Sequence, residues 1–191
     1  MIPNSDEIEF WETRYQAGKT PWDFHGVPCA LTNWLNTAPT PGRVLIPGCG
    51  SGYEVQAFHA AGWETIGIDY TPAAVARAKA RLGELADKVM QSYFFTHKFG
   101  SQKFDLIYER TFLCALPPER RTAYVARMAE LLVDGGKLLG FFLYGHDALS
   151  PVRVVECPAG FFTAGLLRDF KGLNGVVEIF HMIGFLGIIL L

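Results

Sequence analysis

This 191-residue sequence has little net charge and no hydrophobic run long enough to cross a bilayer. Its formal net charge is −2, whereas domains that bind nucleic acids are usually strongly basic. The small basic cluster of Arg77, Lys79 and Arg81 has the spacing of a solvated helix face. The apolar stretch at residues 182–191 has ten residues, and a membrane-spanning helix needs about 20. We therefore expect neither nucleic acid nor a membrane as a partner.

The sequence also lacks closely paired cysteines. Its four cysteines are Cys29, Cys49, Cys114 and Cys157. Disulfide frameworks and zinc sites both favour closer spacing, so we expect a reducing, cytoplasmic setting. No histidine spacing indicates a metal site, and we expect no metal. Residues 1–10 are polar and acidic and lack the apolar core of a signal peptide.

No linker, repeat or low-complexity block interrupts the chain. Its length suits one domain with a full hydrophobic core, and half of its residues are hydrophobic. We therefore predict a single domain over residues 1–191, which we expect to be a monomer.

Short apolar runs alternate with helical patterns from residue 44 onward. The predicted strands are residues 44–46, 65–68, 89–95, 104–108 and, after a turn at 134–136, 137–144; the predicted helices are 54–61, 73–86 and 117–132. Such alternation predicts βαβ units and a mainly parallel sheet. The strands are nearly all apolar, as expected when helices cover both faces of a sheet. The sequence thus predicts an α/β fold, a doubly wound Rossmann-like sheet. Beyond residue 145 the pattern weakens to a short helix at 158–170 and two closing strands at 175–182 and 185–191.

The stretch VLIPGCGSGYE, residues 44–54, has glycine at every second position after the first predicted strand: Gly48, Gly50 and Gly52. Glycine costs backbone entropy and packs no side chain, so either this turn is sterically tight or a ligand approaches it closely. In a doubly wound sheet the turn lies at the ligand-binding crevice. Dinucleotide-binding loops favour GxGxxG, whereas the GxGxG spacing here is typical of sites for S-adenosylmethionine. We therefore expect the methionine part of that cofactor to lie against Gly48, Gly50 and Gly52.

Asp69 ends the second predicted strand, seventeen residues after Gly52. A carboxylate at this position can accept hydrogen bonds from both ribose hydroxyls of a nucleoside cofactor. The alternative is a loop aspartate that caps the helix beginning after Thr71. Together with the glycine loop, Asp69 favours the ribose role.

Four stretches, in this order, resemble the thiopurine methyltransferase family. They are FWETRYQAGKTPWD (10–23), VLIPGCGSGYE (44–54), GIDYTPAAVARA (67–78) and FDLIYERTFLCALPPERR (104–121). The bacterial members and the plant thiol and halide methyltransferases are the most similar. The resemblance implies a class I methyltransferase fold and S-adenosylmethionine as the cofactor. It also implies a small methyl acceptor, which is a thiol, a thiopurine or a halide.

The resemblance further implies that Trp11, Tyr15 and Trp22 line the cofactor pocket, within a lid formed by residues 1–40. A sulfonium is a cation with poorly hydrated alkyl arms, and aromatic faces attract such groups. On spacing alone, Trp11 and Tyr15 at i and i+4 are the apolar stripe of a short helix.

Arg110 matches a family position near the cofactor and the acceptor. On sequence alone it is a surface arginine paired with Glu109. Methyl transfer is an in-line displacement that needs alignment and exclusion of water, so we assign no general base. If the acceptor is a thiol, Arg110 would favour its thiolate. Tyr144 and His146 follow the fifth predicted strand, at the edge where acceptors bind, and join Arg110 as candidate catalytic residues.

Two features depart from the family pattern. Tyr93 and Phe94 occupy positions where the family has an acidic residue followed by phenylalanine. That carboxylate would accept a hydrogen bond from the adenine amino group, and Tyr93 and Phe94 are the corresponding candidates here. From Ala148 onward the chain does not match the family, so residues 148–191 form an atypical tail. Either the acceptor side of the site is remodelled, or the amino-acid sequence of this end has itself been altered.

Two other functions remain open on sequence alone. A nicotinamide-dependent oxidoreductase shares the fold and the acidic residue after the second strand, although the GxGxG spacing and the aromatic N-terminal segment argue against it. The other is a non-catalytic cofactor-binding or partner-binding module, which Tyr93 and the atypical tail would explain. A fold alone does not select among such functions.

Overall fold

Residues 7–37, 40–142, 178–180 and 187–190 are described by the structure, a computed structural model. Its strands are β1 (Arg43–Pro47), β2 (Glu64–Asp69), β3 (Val89–Gln91), β4 (Phe104–Arg110), β5 (Leu132–Phe142), β6 (Glu178–Phe180) and β7 (Gly187–Leu190). In the described ranges they form one sheet in the order β3-β2-β1-β4-β5-β7-β6. The first five run parallel, while β7 is antiparallel to both β5 and β6.

Helices connect β1 to β2, β2 to β3 and β4 to β5, as the sequence predicts, whereas residues 92–103 join β3 to β4 without a helix. The helices are α1 (Ile8–Gln16), α2 (Cys29–Thr37), α3 (Tyr53–Ala60), α4 (Pro72–Leu82), α5 (Phe112–Ala115) and α6 (Arg121–Leu131), with 3₁₀ segments at Gly83–Lys88 and Pro118–Arg120. Within the described ranges, every helix is too short or too polar to cross a membrane.

Side chains alternate along the strands and divide the core into two layers. On one face, Leu45 packs in a cluster with Tyr124 and Met128 of α6. On the other, Val44 packs in a cluster with Phe58 of α3. Because helices cover both faces, the strands are apolar throughout, which accounts for the pattern seen in the sequence.

Four predicted elements have different bounds. Helix α6 begins at Arg121 rather than at residue 117, because Pro118–Arg120 forms a 3₁₀ segment. The third strand ends at Gln91 rather than at residue 95, because the N–H groups of Thr96 and His97 bond to the carbonyl of Tyr93 and form a turn. Helix α4 ends at Leu82 rather than at residue 86, because Gly83 has a φ of +58° and breaks the helix.

The fifth strand begins at Leu132, earlier than predicted. Phe104 pairs with Leu132, but Leu106 pairs with Lys137, so residues 133–136 bulge out of the strand pairing instead of preceding it. This bulge includes Gly135, whose φ is +76°. Strands β6 and β7 lie within the two predicted closing strands. The predicted helix at 158–170 lies outside the described residues.

The strand order places the crevice of the sheet between β1 and β4. The chain runs outward from β1 through β2 to β3 and then returns to β4 on the other side of β1. In open α/β sheets, ligands bind at the carboxyl ends of the strands where the order reverses in this way. The glycine loop follows β1 directly and therefore lies at this point.

Candidate functional site

A pocket of about 350 Å³ opens at the carboxyl ends of the central strands, beneath the N-terminal segment. Pockets of roughly 300–1,000 Å³ can enclose most of a small ligand. Nine residues predicted for the site line it: Trp11, Tyr15, Trp22, Gly48, Gly50, Asp69, Tyr93, Phe94 and Arg110. Gly52 lies outside the lining, and Tyr144 and His146 lie outside the described residues. The tertiary structure therefore brings residues from all four family-like stretches to one place.

The glycine loop is sterically tight, one of the two alternatives that the sequence left open. Gly48, Gly50 and Gly52 have φ values of +60°, +50° and +72°, which glycine adopts without strain. A β-carbon on Gly48 would lie 2.5 Å from Cδ2 of Phe112. On Gly52 it would lie 3.1 Å from the Leu82 side chain of α4. Contacts within the protein therefore account for the small residues in this loop.

Asp69 clamps the same loop and caps the next helix. Its Oδ2 accepts a hydrogen bond from the N–H of Gly50 at 3.0 Å, and its Oδ1 accepts one from the N–H of Thr71 at 2.9 Å. Burial raises the pKa of this carboxyl, while the backbone N–H groups act in the opposite direction. The N–H of Tyr70 and the hydroxyl of Thr71 also hydrogen-bond to this carboxylate, which is therefore held firmly at the end of β2.

Aromatic rings of the N-terminal segment cover the pocket. The Trp11 and Trp22 rings meet edge to face, with centroids 5.0 Å apart. The indole N–H of Trp22 donates to the Tyr15 hydroxyl at 3.4 Å. Burial, and then the nearby Asp69 carboxylate, raise the pKa of Tyr15, so this residue remains a neutral phenol. The lid therefore presents aromatic faces and one buried hydroxyl to the pocket.

Helix α4 anchors the lid. The Glu12 carboxylate of α1 accepts the N–H of Ala73 at 2.9 Å and so caps the first turn of α4. The Arg77 guanidinium donates to the carbonyl of Tyr15 at 2.8 Å and to the hydroxyl of Thr20 at 3.3 Å. These contacts join segments about sixty residues apart in the chain.

The prediction of a solvated basic face was wrong for two of its three residues. Arg77 and Arg81 are half-buried, and only Lys79 is exposed. The Nε of Arg81 donates to the carbonyl of Ser51 at 2.8 Å, and its Nη2 donates to the carbonyl of Gly52. Arg81 thus holds the glycine loop against α4, which the i, i+2, i+4 spacing did not reveal.

Arg110 pairs with Glu54 rather than with Glu109, so the sequence-only alternative was wrong. Its Nε lies 2.8 Å from Oε1 of Glu54, and both side chains are largely buried. Burial raises the pKa of Glu54, and the Arg110 charge opposes that rise. The Nη1 of Arg110 also donates to the carbonyl of Gly26 at 3.4 Å, which ties β4 to the lid segment.

Glu109 points to the opposite face of the sheet, because side chains alternate along β4. It is fully buried, and its Oε2 accepts the N–H groups of Phe112 and Leu113 at 2.6 and 3.3 Å. Burial, reinforced by the neighbouring Cys114, holds the pKa of Glu109 well above its ordinary value. Glu109 therefore caps α5 from within the core.

The end of β3 presents aromatic rings and a serine to the pocket. The Tyr93 ring lies 5.7 Å from that of Tyr70 and 5.4 Å from that of Phe95, measured between centroids. Phe94 is buried, and its ring meets that of Phe112 edge to face at 5.4 Å. Sequence reasoning missed Ser92, which lines the pocket and whose hydroxyl lies 3.0 Å from Nδ1 of His97.

Two acidic residues of the pocket were also missed. The Asp23 side chain is 5% exposed; its Oδ2 accepts the Ser51 hydroxyl at 2.5 Å and its Oδ1 accepts the N–H of His25 at 2.9 Å. Glu54, the partner of Arg110, is the other. Asp23 ends the first family-like stretch and Glu54 ends the second, so their positions in these motifs were the available signal.

The described residues contain no group of three histidine, cysteine or acidic side chains that could hold a metal ion. The cysteines within this part of the chain, Cys29, Cys49 and Cys114, are free thiols. The site therefore consists of a tight glycine loop, carboxylates and aromatic rings.

Comparison with known protein families identifies one family over most of the chain. Residues 6–150 match the family model described as thiopurine S-methyltransferase. Probable thiol methyltransferase 2 of Arabidopsis thaliana is 37% identical over 134 residues, which cover 68% of this chain but only 59% of that protein. Thiocyanate methyltransferase 1 of Brassica oleracea is 30% identical over 175 residues, covering 84% of this chain and 77% of that protein. This chain therefore spans less than two thirds of the first of these relatives.

Solved structures with bound SAM or SAH share the fold. Magnesium protoporphyrin IX methyltransferase from Synechocystis PCC 6803, solved with bound SAH, superposes with a TM-score of 0.69 at 18% identity, covering 96% of this chain and 97% of that chain. The DhpI-SAM-HEP complex gives a TM-score of 0.68 at 20% identity, covering 97% of this chain and 95% of that chain. These likenesses confirm the predicted class I methyltransferase fold.

Proposed function

This chain belongs to the thiopurine S-methyltransferase family, and we propose that it transfers a methyl group from S-adenosylmethionine to a small acceptor, a thiol, a thiopurine or a halide. One observation carries the proposal. A single pocket at the crevice of the sheet brings together the glycine loop, the Asp69 carboxylate and the aromatic lid.

The residues of the pocket fit this cofactor chemically. The Asp69 carboxylate lines the pocket at the carboxyl end of β2, a position that suits hydrogen bonds from ribose hydroxyls. The rings of Trp11, Tyr15 and Trp22 suit a sulfonium, because aromatic faces attract weakly hydrated cations. Tyr93 and Phe94 supply flat surfaces for a purine. The loop of Gly48, Gly50 and Gly52 lies directly before the N-terminus of α3.

When bound, S-adenosylmethionine supplies a methyl group that its sulfonium already activates. The protein's task is then to align the acceptor and exclude water. The lid excludes water, because its rings cover the pocket and its hydrogen bonds to α4 hold them in place. No residue is required to remove a proton if the acceptor arrives as an anion.

Arg110 has a shared role in this proposal. Its guanidinium balances the Glu54 carboxylate at 2.8 Å, so an acceptor thiolate would meet a cation whose charge is already partly neutralised. Because Arg110 also donates to the carbonyl of Gly26, we assign it the further role of holding the lid segment beside the pocket. Tyr144 and His146 remain proposed catalytic candidates on the sequence pattern alone.

We also propose one methyltransferase domain over residues 1–191, with residues 1–40 as the lid segment and 148–191 as the atypical tail. Free thiols at the described cysteines support a cytoplasmic location. The low net charge supports the absence of a nucleic-acid partner, and a small-molecule acceptor is compatible with a monomer.

Calorimetric titration of the purified chain tests the function. We expect S-adenosylmethionine and S-adenosylhomocysteine to bind and NAD not to bind. Binding of NAD alone would support an oxidoreductase, and no binding by a demonstrably folded chain would contradict the proposal. Methyl transfer to thiols, thiopurines and iodide is then measured by product formation. Binding without turnover on any of them would support the non-catalytic alternative.

A further inference from the structure

Three carboxylates line the pocket around the glycine loop: Asp23, Glu54 and Asp69. The Glu54 charge is balanced by Arg110 at 2.8 Å. Asp69 is held by three backbone N–H groups and the Thr71 hydroxyl, and it faces the part of the pocket assigned to the ribose. The environment of Asp23 differs from both of these.

No lysine or arginine of the described residues pairs with Asp23. Its ion-pair contact in this part of the chain is with Nδ1 of His25, at 3.7 Å, and the His25 side chain is 78% exposed. The Asp23 side chain itself is only 5% exposed. Burying a carboxylate without a cationic partner is costly, so this position suits a ligand that brings a positive charge.

The hydrogen bonds of Asp23 leave room for such a ligand. One oxygen accepts the Ser51 hydroxyl and the other accepts the N–H of His25. A carboxylate has about four acceptor sites, so two remain available. Ser51 belongs to the glycine loop, and Asp23 therefore lies beside the surface against which the amino-acid part of the cofactor is expected to rest.

The cofactor carries two cationic groups, a sulfonium and an α-ammonium, which differ in their ability to donate hydrogen bonds. A sulfonium has no N–H group and is suited to the aromatic faces of the lid. An α-ammonium has three N–H donors and needs acceptors once water is removed. We propose that Asp23 accepts a hydrogen bond from the α-ammonium group at the amino-acid end of the cofactor. This inference rests on the proposed function.

The proposal gives the lid a role in recognising charge. Asp23 lies between α1 and α2, on the same segment as the aromatic rings, and its bond to Ser51 already joins this segment to the glycine loop. A bound ammonium would therefore contact both the lid and, through Asp23, the loop. Ligands with the amino-acid part would stabilise this closed arrangement, and ligands without it would not.

Titration calorimetry of Asp23→Asn with three ligands tests this inference. The ligands are S-adenosylmethionine, S-adenosylhomocysteine and 5′-methylthioadenosine, which lacks the amino-acid part. Asparagine keeps an acceptor for the Ser51 hydroxyl but loses the charge. We expect the first two ligands to bind roughly 10- to 100-fold more weakly and 5′-methylthioadenosine to bind as tightly as to the wild type.

Two further variants serve as controls. Ser51→Ala removes the bond to Asp23 but keeps the carboxylate, and we expect it to retain the wild-type preference for ligands with the amino-acid part. Asp87→Asn makes the same change of charge on a side chain that is 69% exposed, and should leave all three affinities unchanged. Thermal melting confirms that each variant is folded.

Each other outcome overturns the inference. A greater loss for S-adenosylmethionine than for S-adenosylhomocysteine would mean that Asp23 faces the sulfonium. An equal loss for all three ligands, or the same losses in Ser51→Ala, would mean that Asp23 only supports the lid. Unchanged affinities in Asp23→Asn would show that the charge has no role. If the wild-type protein binds none of the three ligands, the proposed function fails as well.

Discussion

The phenolic oxygen of Tyr15 lies 2.7 Å from the point that a β-carbon on Gly50 would occupy. Gly50 also donates its N–H to Asp69, at 3.0 Å. The lid and the glycine loop are therefore in direct contact over the carboxylate that ends β2. The absence of a side chain at residue 50 allows the lid to close this far.

Gly50→Ala should destabilise the fold and displace the lid. The left-handed φ of +50° alone costs an alanine about 1–2 kcal/mol, and the contact with Tyr15 adds to this. Adding Tyr15→Phe should recover part of the loss, because it removes the atom that clashes. Urea unfolding of both single variants and of the double variant measures these free energies.

Gly100→Ala is the control for Gly50→Ala. Gly100 has a similar φ of +64°, but a β-carbon there would meet no atom within 4 Å. It should therefore show the cost of a positive φ without a steric contact. Equal losses for Gly50→Ala and Gly100→Ala would show that the Tyr15 contact is energetically unimportant.

The Glu54–Arg110 pair should be strongly coupled. Glu54→Gln leaves a largely buried guanidinium without its carboxylate, and we expect a loss of about 3 kcal/mol in the free energy of unfolding. Arg110→Met should also destabilise, but the double variant should lose less than the sum of the two. A double-mutant cycle by urea unfolding gives the coupling energy.

The exposed pair of Arg43 and Glu64 provides a comparison for this cycle. Their charged atoms lie 3.0 Å apart, nearly the same separation, but the Glu64 side chain is 59% exposed. Glu64→Gln should therefore cost less than about 1 kcal/mol. Additive losses at Glu54 and Arg110 would contradict the view that burial makes their pairing important.

Glu109 should make the fold less stable as pH rises. Its pKa in the folded state lies well above the ordinary value of 4.5, mainly because it is buried. Above about pH 4.5 the folded protein therefore binds more protons at this residue than the unfolded chain does, and the free energy of unfolding falls as pH increases. Its contribution is fully present below that pH and is lost as pH rises through the folded-state pKa.

Glu109→Gln isolates this effect, because a glutamine does not titrate and can still accept the N–H of Phe112. We expect the stability of the wild type relative to Glu109→Gln to decline as pH rises above about 4.5. Urea unfolding at a series of pH values measures the difference. A relative stability that increases with pH would mean that the folded-state pKa of Glu109 is lowered instead.

Tyr93→Asp should strengthen recognition of the purine amino group. A carboxylate at the end of β3 would accept a hydrogen bond from that group, whereas Tyr93 supplies a ring packed near Tyr70 and Phe95. We expect the variant to prefer S-adenosylhomocysteine over S-inosylhomocysteine about tenfold more than the wild type does. Tyr93→Asn tests whether the charge is needed. An unchanged preference in Tyr93→Asp would place the amino group away from residue 93.

Much of the fold followed from local pattern. Strands β1, β2 and β4 and helices α3 and α6 were predicted because the spacing of apolar residues reports which faces are buried. The errors occurred where a bend depends on a few residues, as at the turn after Gln91 and the bulge at residues 133–136. Runs of apolar residues do not distinguish a strand from a buried turn that continues it.

The sequence by itself determined the order of strands and helices, the glycine loop and the acidic residue after β2, because each depends on neighbouring residues. Only the tertiary structure decided which charges are paired. Arg110 bonds to Glu54 rather than to its neighbour Glu109, and Arg77 and Arg81 bind backbone carbonyls of the lid and the loop. These partners lie about thirty to sixty residues away in the chain, so the spacing of neighbouring residues does not predict them. Burial strengthens each interaction, because the protein interior has a lower dielectric constant than water.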